Sequence, residues 1–396
     1  MSFSVVDHSN NYNFDVVWDL GRRCTYACTY CGPHHSNKTS PLITFETLKN
    51  TMDGVDEYAS LLNQYRTEPK ITNIAYTGGE PTIHPDFFKF LPYCKEKYPH
   101  IKSNITTNGC FSESKCKLIM DTIDSVTVSY HTEASSQEKK LVLKNIKLMQ
   151  DSNYFLRVNH MYHRDRWEEC MQVADLFESW GVTYTPRPIG DANNEEDIKD
   201  GTAHRYTNEQ LEYFKNFWIK GKNAQSNKSD AMHMVVKSKK EKMAATSIGR
   251  PCCNGKCLNI TINDKVSAQS FVPSTNFQGW NCMVNWDFLF INSELDGVWH
   301  HQTCEVNLDG HIGPIGKASN FNEIISSLKQ KLTSGRMPVI KCPKTYCGCG
   351  LCSPKAKHKT DALNIFTRRN KNLIPTFQEE IKDISNDKTI YRLLTK

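Results

Sequence analysis

The segment Cys24-Thr25-Tyr26-Ala27-Cys28-Thr29-Tyr30-Cys31 sets three thiols on one short stretch, directly after a strand-like run from Asn13 to Leu20. Three thiolates on such a loop can bind three irons of a cubane and leave the fourth iron open. An open coordination position is what catalysis needs and what a closed structural metal site lacks. Three ligands of a zinc site are the competing reading; His34 and His35 stand nearby, but the loop offers no fourth ligand at finger-like spacing. A second chemistry-bearing segment, Thr77-Gly78-Gly79-Glu80-Pro81, ends the next strand-like run, Ile71 to Tyr76. Glycines let the backbone approach a ligand closely, and Glu80 offers a carboxylate to an ammonium group. Taken alone, Gly-Gly-Glu-Pro is a turn.

The chain has 16 cysteines among 396 residues, and they are grouped. Besides the first three, Cys252, Cys253 and Cys257 form one group and Cys342, Cys347, Cys349 and Cys352 another, with Cys282 and Cys304 between them. The N-terminus lacks a basic flank followed by an apolar run, and no stretch is apolar enough to span a bilayer, so the sequence predicts a cytoplasmic protein with no membrane partner. In a reducing cytoplasm structural disulfides are disfavoured, and grouped thiols point to metal. Cys94, Cys110, Cys116 and Cys170 stand apart and read as small buried hydrophobes. A zinc ribbon built from 252–257 and 342–352 is the alternative for the later groups. Net charge is +6, from 49 basic and 43 acidic residues without a basic stripe, and this argues against a nucleic-acid partner.

The elements that position these residues alternate. Helical spacing from Phe45 to Tyr65 and from Pro85 to Tyr98 separates strand-like runs. Further strands are expected over Ile101 to Thr107, Ser125 to Tyr130, Phe155 to His160 and Val182 to Pro186. Strands divided by helices imply parallel βαβ units, and polar residues gather where a β/α barrel places its chemistry, at the C-terminal ends of the strands. Thr106, Thr107, Asn108, Ser129, His131, Glu133, Asn159 and Arg187 stand there, with capping and turn chemistry as the alternative use of each. The pattern changes from about Asp191; a helix is expected from Asn208 to Lys222, a strand at Phe288 to Ile291 and a helix near Asn322 to Leu332.

The cysteine loop, with an aromatic residue (Tyr30) before the third cysteine, and the Gly78-Gly79-Glu80 segment one βα unit later resemble the signatures of the radical S-adenosylmethionine (radical SAM) superfamily. The resemblance implies an α/β fold, a partial parallel (β/α)6 barrel, with Cys24, Cys28 and Cys31 holding a [4Fe–4S] cluster and S-adenosylmethionine (SAM) on the fourth iron. It implies SAM contacts from Tyr30, Gly78, Gly79, Glu80, Asn108, Ser129 and Asn159, and substrate contacts from His131 and Glu133. The stretch from about Gly279 to Ser353 resembles a smaller cysteine-rich twitch/SPASM-like domain, which implies one auxiliary [4Fe–4S] cluster on Cys282, Cys304 and about two of Cys342, Cys347, Cys349 and Cys352. The domains expected are residues 1–230, 231–360 and a tail, 361–396. The expected activity is reductive cleavage of SAM, followed by radical oxidation, epimerisation or rearrangement of a polar small molecule, such as a carbohydrate or amino sugar. An electron donor such as flavodoxin or ferredoxin is the implied partner. A peptide-modifying enzyme is the alternative, set second because the first strand begins by about residue 13, where such enzymes often carry a precursor-binding extension. A nucleic-acid-modifying enzyme and a non-catalytic zinc-binding protein are alternatives of other classes.

Overall fold

The computed structural model describes residues 5–6, 13–31, 38–189, 206–214, 216–217, 259–262, 265–268, 276–301, 304, 306–345 and 353–377. In chain order its elements begin with β1 (Val5–Val6), β2 (Asn13–Asp19), α1 (Phe45–Tyr65), β3 (Ile71–Thr77) and α2 (Phe87–Lys97). There follow β4 (Lys102–Thr107), α3 (Glu113–Thr122), β5 (Ser125–His131), α4 (Ser136–Asp151), β6 (Leu156–Tyr162), α5 (Trp167–Ser179) and β7 (Tyr184–Pro188). The later chain carries β8 (Asn259–Ile262), β9 (Lys265–Ala268), β10 (Asn281–Cys282), a single turn α6 (Val284–Asp287), β11 (Phe288–Asn292), β12 (Gly297–Trp299) and β13 (Gly316–Lys317). It ends with α7 (Phe321–Leu332), β14 (Ile340–Lys341), β15 (Lys355–Ala356) and α8 (Lys359–Arg369). The expected helix from Asn208 is present over 208–214 and 216–217, and the remainder of that range lies outside the described residues. Among the described residues no helix is long and apolar enough to cross a membrane.

The chain divides into two compact units. The unit of Leu20–Leu42 and Ala75–Ile248 holds the end of β3 and then β4, β5, β6 and β7 in that spatial order. The pairs β4/β5, β5/β6 and β6/β7 are parallel, and the helices between them are the crossovers that parallel pairing requires. Burial alternates along β6: Leu156, Val158, His160 and Tyr162 are buried, whereas Arg157, Asn159 and Met161 are half-buried. The buried set packs beneath the helices; Phe177 of α5 meets the rings of Tyr130, His160 and Tyr184. Period-two alternation therefore leaves a second row facing the other way, and register sets Ser129 opposite Asn159 and Asn159 opposite Thr185. Local signals start the helices: Ser112 caps α3, and Ser135 with Glu138 forms a capping box on α4.

The other unit is Met1–Asp19, Ile43–Ile74 and Gly249–Lys396. Here β2 pairs parallel with β11, β11 antiparallel with β12, and β12 antiparallel with β13. A small antiparallel sheet runs β1-β15-β10-β14. Where α1 meets α7, a Cβ on Gly54 would fall 2.3 Å from the Phe321 ring, so glycine permits the contact. A charged network is buried beside the start of β11. Lys70 is hydrogen-bonded to Asp287, their side chains 11% and 3% exposed, and Arg66 donates to Trp286 O and, at 2.6 Å, to Asn63 Oδ1.

Burial alone would raise the Asp287 pKa, but the Lys70, Arg369 and Arg66 cations outweigh it and hold the carboxyl below its ordinary value of 3.8. Burial lowers Lys70 to about 8 against the attraction of Asp287. Asp287→Asn removes the counter-charge from buried cations and is expected to cost about 3–5 kcal/mol in urea unfolding at neutral pH. For a depressed carboxyl the stabilisation is fully present above the unfolded pKa and is lost as pH falls through the lower folded one. The wild type should therefore lose stability below about pH 4 on this account, and in Asp287→Asn that part of the acid limb should be absent. An unchanged midpoint in Asp287→Asn contradicts the role given to the pair.

Candidate active site

The site is built at the C-terminal end of β3 and on the chain that follows Leu20. Leu20 N–H donates to Thr77 O at 2.9 Å, Gly79 N–H to Gly21 O at 2.8 Å, and Glu80 N–H to Arg23 O at 2.7 Å. The segment Gly78-Gly79-Glu80 thus lies hydrogen-bonded along residues 20–23, which lead into Cys24. Glycine is required twice here. Gly78 has φ of 137°, a region disfavoured for other residues. At Gly79 a Cβ would stand 2.4 Å from Arg23 O and 2.5 Å from Arg22 O. The close approach expected from these glycines is made to the backbone before the cysteines.

Glu80 is 3% exposed. Its Oε1 accepts Thr82 N–H at 3.1 Å and the hydroxyls of Thr82 and Thr107, each at 2.7 Å. Its Oε2 accepts Asn108 N–H at 2.6 Å, and a carboxylate oxygen has capacity for a second bond. Burial raises the Glu80 pKa, and these hydrogen bonds oppose the rise by favouring the charged form. Asn108 continues the connection: Nδ2 donates to Thr25 Oγ1 at 2.8 Å and Oδ1 accepts Cys110 N–H at 2.9 Å. Asn145 of α4 fixes the following turn by donating to Gly109 O and Phe111 O.

The cysteine loop is gripped again from the end of β5. Glu133 accepts Thr29 N–H at 2.8 Å and Thr29 Oγ1–H at 2.6 Å, and His163 Nε2 stands 3.4 Å from Glu133 Oε1. His131 Nδ1 is hydrogen-bonded to the Tyr30 hydroxyl and lies 3.5 Å from Cys28 Sγ. Burial lowers His131 to about 4 despite Glu133, so its ring is neutral. Within the loop Cys31 N–H donates to Cys28 O at 3.1 Å, and Tyr26 N–H donates to Cys24 Sγ at 3.4 Å. The three cysteines are half-buried and unpaired by disulfides. Burial pushes the Cys24 thiol up and Cys28 to about 12, so these thiols are protonated at neutral pH and metal binding must displace their protons.

Among the described residues no three His, Cys, Asp or Glu side chains converge on the site of a single metal ion. A cubane needs no such convergence, because each thiolate binds a different iron. The donor set (three thiols on one loop, one of them already accepting a backbone N–H) fits a cluster, and the remaining capacity of Glu80 Oε2 fits an ammonium donor.

Ser129 and Asn159 stand opposite each other on β5 and β6, and Asn159 Oδ1 accepts Arg187 Nε–H at 3.2 Å. Cys94, Cys116 and Cys170 are buried and Cys110 is half-buried. In the other unit Cys282 is 6% exposed in an apolar cluster with Val284, Phe288, Val306 and Ile340, against which Cys304 packs. Cys342 N–H donates to Trp280 O at 2.9 Å. Cys252, Cys253, Cys257, Cys347, Cys349 and Cys352 lie outside the described residues. The sequence reading passed over Thr25, Thr82 and His163. Of these only Thr82 had a local signal, since an acidic residue before Pro81 suits a helix N-cap whose side chain takes the N–H two residues on.

Residues 18–184 match the model of the family described as "Radical SAM superfamily". The Fe-coproporphyrin III synthase of Methanosarcina barkeri (strain Fusaro / DSM 804) is 31% identical over 97 residues, covering 24% of this chain and 21% of that protein. The GTP 3',8-cyclase of Campylobacter curvus (strain 525.92) is 26% identical over 129 residues, covering 32% and 37%. The chain thus spans well under half the length of these curated relatives. The solved structure "Native anSMEcpe with bound AdoMet" overlaps 94% of this chain and 99% of that one at a TM-score of 0.46 and 15% identity. Residues 18–184 are thus a radical SAM domain.

Proposed function

We propose that Cys24, Cys28 and Cys31 hold a [4Fe–4S] cluster with SAM on its fourth iron, and that the chain uses it to oxidise, epimerise or rearrange a polar small molecule. The observation that carries this reading is the ladder joining Gly79 and Glu80 to Gly21 and Arg23, which sets a buried carboxylate beside the segment that leads into the three thiols. When bound, the reduced cluster supplies the electron that breaks a C–S bond of SAM, giving methionine and a 5′-deoxyadenosyl radical that takes hydrogen from the substrate. Glu80 Oε2 would accept a hydrogen bond from the methionyl ammonium while its Oε1 stays tied to Thr82 and Thr107. Tyr30 and Asn108 would also contact the cofactor, and Asn108 fixes the loop through Thr25. Ser129 and Asn159 offer a hydroxyl and an amide to the cofactor's ribose and carboxylate, with Arg187 orienting the amide. A flavodoxin or ferredoxin supplies the electron.

The nucleotide substrates named for GTP 3',8-cyclase and for the nucleotide dehydratase of Selenomonas ruminantium favour a small polar substrate over a peptide. Cys282 and Cys304, together with two of Cys342, Cys347, Cys349 and Cys352, hold one auxiliary [4Fe–4S] cluster; the shared packing of the first two supports this. In domain terms the first 230 residues carry the SAM chemistry and 231–360 the auxiliary cluster.

The test is anaerobic reconstitution of the full chain with iron and sulfide. A brown protein that converts SAM to 5′-deoxyadenosine under reductant is expected, and mass spectrometry of candidate sugars, nucleotides and peptides then separates substrate classes. A colourless, zinc-loaded chain that leaves SAM intact refutes the reading.

A further inference from the structure

An imidazole nitrogen stands against one of the three sulfurs. His131 Nδ1 lies 3.5 Å from Cys28 Sγ and is hydrogen-bonded to the Tyr30 hydroxyl. The Tyr30 ring lies nearly parallel to the imidazole, centroids 5.9 Å apart and planes at 12°, while Tyr26 meets the imidazole edge-on at 5.5 Å. Glu133 holds the residue between them by accepting both the N–H and the hydroxyl of Thr29. Cys24 Sγ, in contrast, takes the backbone N–H of Tyr26.

We infer, resting on the reading that this loop holds a cluster, that His131, held by Tyr30, is a positioning residue that aims a hydrogen-bond donor at the Cys28 sulfur and so raises the cluster's reduction potential. As a ligand Cys28 is a thiolate and can only accept. The tautomer that serves both neighbours of the nitrogen carries the proton on His131 Nδ1, shared between the Cys28 sulfur and the Tyr30 oxygen, and the Tyr30 oxygen thereby favours that tautomer. One-electron reduction, with the electron delivered by an external low-potential donor, adds negative charge to the cluster and its sulfur ligands. Donors to a ligating sulfur stabilise that reduced form more than the oxidised one, one of the means by which proteins set cluster potentials. The Tyr30 ring fixes the imidazole and its oxygen fixes the tautomer.

The test is a potentiometric titration of the anaerobically reconstituted full chain, followed by electron paramagnetic resonance of the signal that changes when SAM is added, with iron quantified in parallel. Tyr30→Phe keeps the ring and removes the oxygen that fixes the tautomer. With wild-type iron content, Tyr30→Phe and His131→Leu are both expected at a more negative midpoint than wild type, His131→Leu by the larger amount. His131→Gln, whose amide N–H can replace the donor, is expected to recover most of the shift. The double variant should shift no further than His131→Leu, because Tyr30 acts through His131. Wild-type potentials in Tyr30→Phe and His131→Leu at wild-type iron content overturn the inference. So does loss of iron in both His131 variants with Tyr30→Phe at the wild-type potential, which would mark His131 as packing alone. A wild-type chain with no SAM-responsive signal fails at the earlier step and refutes the cluster reading itself.

Discussion

Replacing Cys24, Cys28 and Cys31 together with alanine is expected to leave a folded chain whose 5′-deoxyadenosine yield falls to the detection floor. The loop's attachments do not depend on the sulfurs: Thr29 is held by Glu133, Thr25 by Asn108, and residues 20–23 by the end of β3. The three side chains are half-buried and sit outside the apolar layer beneath the helices, so the thermal midpoint should move by only a few degrees, as for a change of about 1 kcal/mol. Cleavage, in contrast, has no electron source without the cluster. Iron and sulfide analysis beside the wild type reports a second quantity, since iron left in the variant belongs to the auxiliary site. Cleavage that survives in the triple variant would remove these cysteines from the chemistry altogether.

Gly79→Ala is expected to be nearly as damaging by a different route. Its Cβ would fall 2.4 and 2.5 Å from the carbonyl oxygens of Arg23 and Arg22. These are backbone atoms, and Arg23 O is already engaged by Glu80 N–H at 2.7 Å. Relief requires residues 21–23 to move away from Glu80, which carries the start of the cysteine loop with them. Overpacking of this kind costs about 1–3 kcal/mol, and SAM cleavage should fall to background even at temperatures where the variant is folded. Gly279→Ala is the contrasting case: Gly279 has positive φ, 79°, and no atom within 4 Å of the added Cβ, so it bears a conformational cost without a clash, whereas Gly79→Ala bears the clash. Glu80→Gln separates charge from shape. Thr82 and Thr107 can still donate to an amide oxygen, whereas the ammonium partner loses a charge-assisted bond of about 1.5–3 kcal/mol, or roughly ten- to hundredfold in SAM affinity. Equal activity in Gly79→Ala and wild type would contradict the geometry described.

The chemistry was legible in the sequence because it lies in short spacings. Cys24, Cys28 and Cys31 are close along the chain, and so are Gly78, Gly79 and Glu80. The elements were legible where periodicity is strong, as in the alternation along β6 and the face of α1. The grip on the loop was not. His131 and Glu133 sit at the end of a strand, where polar residues carry no periodic signal, and Glu133 meets a partner 104 residues away. The sequence reading gave them to a substrate; in the fold their side chains engage Cys28, Thr29 and Tyr30. Lys70 and Asp287, 217 residues apart, carry no local signal of their pairing. Gly79 is expected from the sequence to let the backbone approach a ligand; the close neighbour in the fold is this chain's own backbone at Arg22 and Arg23, which no local pattern reveals.

The ladder between residues 20–23 and 77–80 has a consequence for the order of events at the ribosome. The cysteines emerge early, yet the strand end that aligns them, and later Asn108, His131 and Glu133, must be synthesised and docked before the three sulfurs share a fixed frame. Closing such loops carries an entropic cost that only the assembled sheet repays. Until that sheet has assembled, the three thiols share no fixed frame in which a cluster could be held.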